Sequence, residues 1–408
     1  MAKKIQKVWG EVIHDSRGDE TIQVSLETDS KIVATSAVPA GKSKGKYEAK
    51  VVTPQDAVKI IEQDLQKRLF NFDVTQQRAL DQLMINDDGT PDKSRLGANT
   101  MLGISMAASR AAAQELNIPL YEYIGSFVGR KSFKLPVPMM NLINGGKHAE
   151  NNLEIQEFMV IPNRIKGYHS QLSAGKMIFS TLGQLLRVES PFLPIGDEGG
   201  YAPTLDTNEM ALGFLVQAIK ESGYKVESEI SLGIDVAGAS IAGTFDMSAK
   251  NYMAMFENFP IMSIEDPFDE EDWASWADLN KQLVTWNINK KPLMVVGDDI
   301  FVTNKARLEK GIEQGSANTI LIKLNQAGTV SETIDVIETA HKAGFVTIVS
   351  HRSGETLDDY IADFAVGTGS QFIKSGCPND NHPERLTKYR RLLEIEKELQ
   401  IEPHASTT

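Results

Sequence analysis

TILIK, residues 319–323, is a short apolar run that stops abruptly on a charged side chain, Lys323. The pattern recurs through the second half of the chain. LGI ends in Asp235, MSI in Glu265, VVG in Asp298, IVS in His351 and FI in Lys374. Successive charges lie 23 to 33 residues apart, about one strand–helix unit each. A charge within an apolar strand is costly unless it is paired or metal-bound. At the C-terminal mouth of a β/α barrel, however, such positions converge on one site. Any one of them reads equally well as a strand emerging into solvent. Six in succession, carrying Asp, Glu, Asp, Lys, His and Lys, make that a poor explanation.

Outward from these ends, apolar runs cover 137–143, 155–161, 232–236, 261–264, 293–296, 319–322, 346–349 and 371–373. Amphipathic segments separate them. Over 206–222, Ala211, Phe214, Leu215, Ala218 and Ile219 form one helical stripe and Gly223 ends it. Strand–helix alternation implies parallel pairing, and about eight strands over 134–408 predict a (β/α)8-type barrel. A doubly wound open sheet is the rival, weakened by the lack of a Gly-x-Gly-x-x-Gly turn after an early strand. Residues 1–133 read as an α+β unit. Residues 21–27 alternate as a half-buried strand, 32–38 supply a partner, and Thr53-Pro54 starts a helix. A second helix, rich in alanine and methionine, covers 97–116. The fold class is therefore α/β: a C-terminal barrel (134–408) with an N-terminal α+β domain (1–133).

Composition bounds the function. The 408 residues are 41% hydrophobic with a net charge of −13, which argues against a general nucleic-acid binder. No apolar run is long enough to span a bilayer, and residues 1–17 lack a signal-like core. One cysteine, Cys377, rules out an intrachain disulfide and fits a reducing compartment, so the cytoplasm is expected.

Asp235, Glu265 and Asp298 offer three carboxylates and no thiolate, a set suited to a hard cation, Mg²⁺ above all. Beside such an ion, Lys323 and Lys374 would have lowered pKa values, and one could serve as a neutral base. His351 and Arg352 make the far side basic, so the substrate should be anionic. Three glycine-rich segments could close over the site. AGKSKGK (40–46) fails as a phosphate loop because Ser36 stands where glycine is required. NGGKHAENN (144–152) carries His148. GDEGGYAP (196–203) carries Asp197 and Glu198, a pair that is either a turn cap or a crowded acid with a raised pKa. Gln156-Glu157 has the same ambiguity.

The motifs HDSRG, NLINGGKHA, QEFM, GDEGG, IEDPF, VGDD, IKLNQAGT, SHRSGET and IKSG occur in this order from residue 14 to residue 376. In these the chain resembles the enolase (phosphopyruvate hydratase) family over nearly its whole length. The resemblance implies an N-terminal capping domain and a barrel whose first units are irregular, one strand being antiparallel. It implies reversible dehydration of 2-phosphoglycerate to phosphoenolpyruvate. Lys323 would be the base and Glu198 the acid. Asp235, Glu265 and Asp298 would hold one Mg²⁺, and Ser43 would bring in a second, substrate-dependent one. His148, Gln156, Glu157, His351, Arg352, Ser353 and Lys374 would surround a phosphorylated small-molecule substrate. Homodimers or higher homo-oligomers are implied. The chain departs from the family in its first loop, where Lys42 and Lys44 flank Ser43, and at Asp19-Glu20. Two alternatives are a sister enzyme of the same barrel acting on another carboxylate, and an enolase-like binding or structural protein without catalysis.

Overall fold

The computed structural model describes residues 3–41, 45–241, 245–286 and 293–400. Near the N-terminus, β1 (Ile5–His14), β2 (Glu20–Thr28) and β3 (Val33–Ala37) form an antiparallel sheet in the order β1-β2-β3. Sequence reading had not anticipated β1. The helix Ala98–Leu116 packs on the sheet, and Gly103 lies so close to Val24 that a β-carbon there would collide with it. The helix Pro54–Ile60 starts as expected, with the Thr53 side chain accepting from the Asp56 amide. A cap of this kind contributes about 1 kcal/mol.

The remaining strands are β4 (Val137–Asn144), β5 (Glu157–Ile161), β6 (Ser231–Asp235), β7 (Ile261–Glu265), β8 (Met294–Gly297), β9 (Thr319–Ile322), β10 (Val346–Ser350) and β11 (Phe372–Lys374). They close into a barrel in the order β4 to β11, with β11 pairing back onto β4. Every expected run is present. Uniform parallel pairing is not: β5 runs antiparallel to both β4 and β6, the one antiparallel strand that the family resemblance implies. The β4–β5 connection carries a three-residue helical turn, Gly146–His148, instead of a covering helix. Two consecutive helices, Tyr168–Glu189 and Asn208–Glu221, then return the chain to β6.

Strand residues alternate between two environments. Ile320, Ile322, Val295, Val349 and Ile373 join the main core beneath the helices. Met139, Met159, Ile161, Met294, Val296, Leu321 and Ile348 form a separate apolar cluster, the filling of the barrel. Continuing by twos along the inward face brings Leu321 to Lys323, Val296 to Asp298 and Phe372 to Lys374. Strand periodicity thus stacks charge on an apolar floor. Among the described residues, no helix is long and apolar enough to cross a membrane.

Candidate active site at the barrel mouth

The register of neighbouring strands sets Asp235 beside both Glu157 and Glu265. Because β5 is reversed, its mouth end is its beginning. This is why Gln156 and Glu157 precede their apolar run while the other charges follow theirs. Lys374, at the end of β11, reaches across to all three acids. Its Nζ lies 2.8 Å from Glu265, 3.0 Å from Glu157 and 3.3 Å from Asp235. On β9, Lys323 pairs with Asp298, and Asp298 also accepts from Gln326.

A second cluster gathers around Glu198. Asn141 donates to one of its oxygens at 2.9 Å. His148 Nδ1 lies 3.6 Å and His351 Nε2 3.4 Å from the other. His148 also lies 3.5 Å from Glu157.

Arg352 is held by a third group. Its guanidinium donates to both oxygens of Glu48 at 3.1 Å and to Asn325 at 2.8 Å. Glu48 comes from the N-terminal part of the chain, and the backbones of Ala40 and Gly354 exchange hydrogen bonds at 2.9 Å beside it. Gly354 permits this approach, because a β-carbon there would strike Asp15 and the Ala40 carbonyl. Gly41 lies so close to Arg352 that any side chain would displace the guanidinium.

One cavity of about 60 Å³ is lined by Lys323, Glu198, His148, Gln156, Glu157, His351, Arg352, Ser353, Lys374, Asp235, Glu265 and Asp298. These are all the expected site residues except Ser43, which lies outside the described residues. Sequence reading had not pointed to Glu48, Asn141, Asp266, Asp299 or Arg385. The doubled acids in IEDPF and VGDD were a usable signal for Asp266 and Asp299. Asp266 accepts from the backbone amides of Asp298 and Asp299 and so fixes that strand end. Glu48 and Arg385 stand far from the motifs they serve and gave no local signal.

The converging charges set the protonation states. Burial disfavours the charged form of both lysines, yet facing carboxylates win. Asp298 above all holds Lys323 above its ordinary value, and Glu157, Glu265 and Asp235 hold Lys374 well above its own. The lowering expected of both lysines is that beside a bound divalent ion, which would compete for these same carboxylates. Of the two carboxylates open to a raised pKa, Glu157 rises and Glu198 does not. Burial opposes ionisation of Glu198, and His148, His351, Arg385 and Lys374 nevertheless push its pKa far down. Glu157, buried and facing Glu198, is pushed well up. Burial and Asp235 lift Glu265 to about 8.

Buried acids, two lysines and an arginine converging on one barrel mouth define an enzyme that handles an anionic substrate. Family models agree. "Enolase, N-terminal domain" matches residues 5–124 and "Enolase, C-terminal TIM barrel domain" matches residues 132–405. A curated relative named "Enolase", from Bifidobacterium animalis subsp. lactis (strain AD011), is 43% identical, covering 97% of this chain and 95% of its own. The chain belongs to the enolase family. It is a lyase, a phosphopyruvate hydratase, and the family implies a metal cofactor and a phosphorylated small-molecule substrate.

Proposed function

We propose that this cavity performs the reversible dehydration of 2-phosphoglycerate with Lys323 and Glu198 as catalytic residues and Mg²⁺ as the metal. One observation supports this above others: residues scattered from Glu48 to Lys374 line a single small cavity. Buried Asp235, Glu265 and Asp298 suit a hard cation, since their acidic oxygens outnumber the two ammonium groups among them. When bound there, Mg²⁺ supplies positive charge that stabilises a doubly negative carboxylate. We extend the reading to a second Mg²⁺ that arrives with substrate and is held by Ser43.

In the forward direction Lys323, neutral once a cation bound by Asp298 offsets the pull of that carboxylate, takes the proton from the carbon next to the substrate carboxylate. The C3 hydroxyl then departs as water, taking a proton from the acid pair. That proton rests on Glu157 and passes to Glu198, since the two face each other and share His148. Lys374 neutralises the substrate carboxylate, while Arg352 and Ser353 receive the phosphate, with His148, Gln156 and His351 around the rest. Atoms balance as 2-phosphoglycerate to phosphoenolpyruvate plus water.

We put the domain boundary at 133/134, in the segment between the helix Leu120–Phe127 and β4. Exposed Val188, Phe192 and Ile195 support assembly into a homodimer or higher homo-oligomer. The lone buried cysteine agrees with a cytoplasmic location. The test is ultraviolet detection of phosphoenolpyruvate. Activity should require Mg²⁺, vanish in excess EDTA, and drop about 10²- to 10⁴-fold in Lys323→Ala and Glu198→Gln. Wild-type turnover in either variant would remove the roles assigned to them.

A further inference from the structure

Arg385 lies in the first turn of the helix Pro383–Glu398 and is fully buried. Its two terminal nitrogens make four contacts. One donates to the Arg352 carbonyl and meets His351 Nδ1, both at 2.6 Å. The other donates to the Ser353 carbonyl at 2.6 Å and the Asp197 carbonyl at 3.0 Å. All four terminal hydrogens are thereby committed, and the three carbonyls fix the plane of the guanidinium. A guanidinium has no acceptor and does not lose its proton in proteins. The nitrogen it meets on His351 must therefore be the acceptor, bare of hydrogen.

We propose that Arg385 is a positioning residue that locks His351 in the neutral tautomer with its proton on Nε2. That N–H lines the cavity, faces Glu198 and has no hydrogen-bond partner among the described residues. A second proton would have to enter at Nδ1, against the guanidinium. Burial above all opposes the cationic ring; Glu198 favours it, but Arg385 itself, Lys374 from β11 and Lys323 just after β9 add to the opposition. His351 is thus a fixed donor rather than a proton shuttle. On the enolase reading above, its N–H meets the departing oxygen and orients it toward Glu198.

The experiment is long-range ¹H–¹⁵N spectroscopy of histidine-labelled, deuterated protein, with the His351 signals among the seven histidines assigned by their loss in His351→Gln. The expected result is a protonated Nε2 and a bare Nδ1, unchanged from pH 6 to pH 8.5. A proton on Nδ1, or an imidazolium appearing within that range, overturns the proposal. Arg385→Lys keeps the charge but has three hydrogens for four acceptors. It should lower kcat about tenfold with KM within about threefold, as expected for loosening one donor. Arg385→Gln can accept as well as donate, so it should free the tautomer and add an acidic limb to the kcat profile. Wild-type kcat and pH profile in a folded Arg385→Gln protein would also overturn the proposal. Should that variant fail to fold, the wild-type spectrum still decides. An inactive wild type with the stated tautomer would sink the enolase reading and leave this arrangement standing.

Discussion

The floor and the mouth of the barrel are built from the same strands and obey different physics. Below, Leu321, Ile348, Val296 and Met159 fill space, and their stabilisation scales with the apolar area they remove from water. Two residues further along, Lys323 and Asp298 give up hydration that only a precise partner restores. The floor tolerates exchanges of similar volume; the mouth tolerates almost none. The floor therefore serves stability alone while the mouth carries both stability and chemistry, which opens the difference to attack from both ends.

The largest effect is expected from Lys374→Met, which strips the ammonium from Glu157, Asp235 and Glu265 together. Turnover should fall at least about 10³-fold, a larger loss than removal of one positioned donor gives. Denaturant unfolding in EDTA should also show a loss of about 3–5 kcal/mol, as when a buried ion pair loses one member. If the stability held, the mouth would be less coupled than the geometry implies.

Leu321→Ala attacks the floor instead. It should cost about 2–5 kcal/mol in the same titration. At a temperature where the variant remains folded, kcat should stay within about threefold of wild type, a small margin on the scale of positioned catalytic groups. A large loss of kcat would show that the floor shapes the site directly.

The smallest effect concerns Glu48. Burial raises its pKa, yet Arg352 and the Gly45 amide bring it below the ordinary 4.5. A depressed carboxylate stabilises the fold above its unfolded value and loses that contribution as pH falls through the folded one. Glu48→Gln should therefore be less stable than wild type at pH 7 by about 1.5–3 kcal/mol, the range for hydrogen bonds to charged groups. The two melting curves should converge as pH falls below 4.5. Parallel curves would mean that the Glu48–Arg352 pair does not hold the domains together.

Much of this was legible in the residue order. Charges recurring at strand ends located the mouth, and the stripe over 206–222 located the helix Asn208–Glu221. Two features hid for physical reasons. Reversal of β5 leaves its alternation unchanged, because period two reads alike in both directions; the resemblance implied one antiparallel strand, but only pairing shows that Glu157 leads it. Charge states were hidden too. A buried lysine rises or falls according to which carboxylates converge on it, and that depends on closure of the whole barrel.

Closure has a consequence for synthesis. The seam between β11 and β4 joins residues 372–374 to residues 137–139, so a chain emerging from the ribosome holds an unsealed sheet until residues 372–374 have been made. Glu157, Asp235 and Glu265 are all translated long before Lys374. For that interval the growing chain carries an acidic rim that water must solvate, and it cannot dry out. Arrival of one ammonium group, more than a hundred residues after Glu265, lets the rim be sealed.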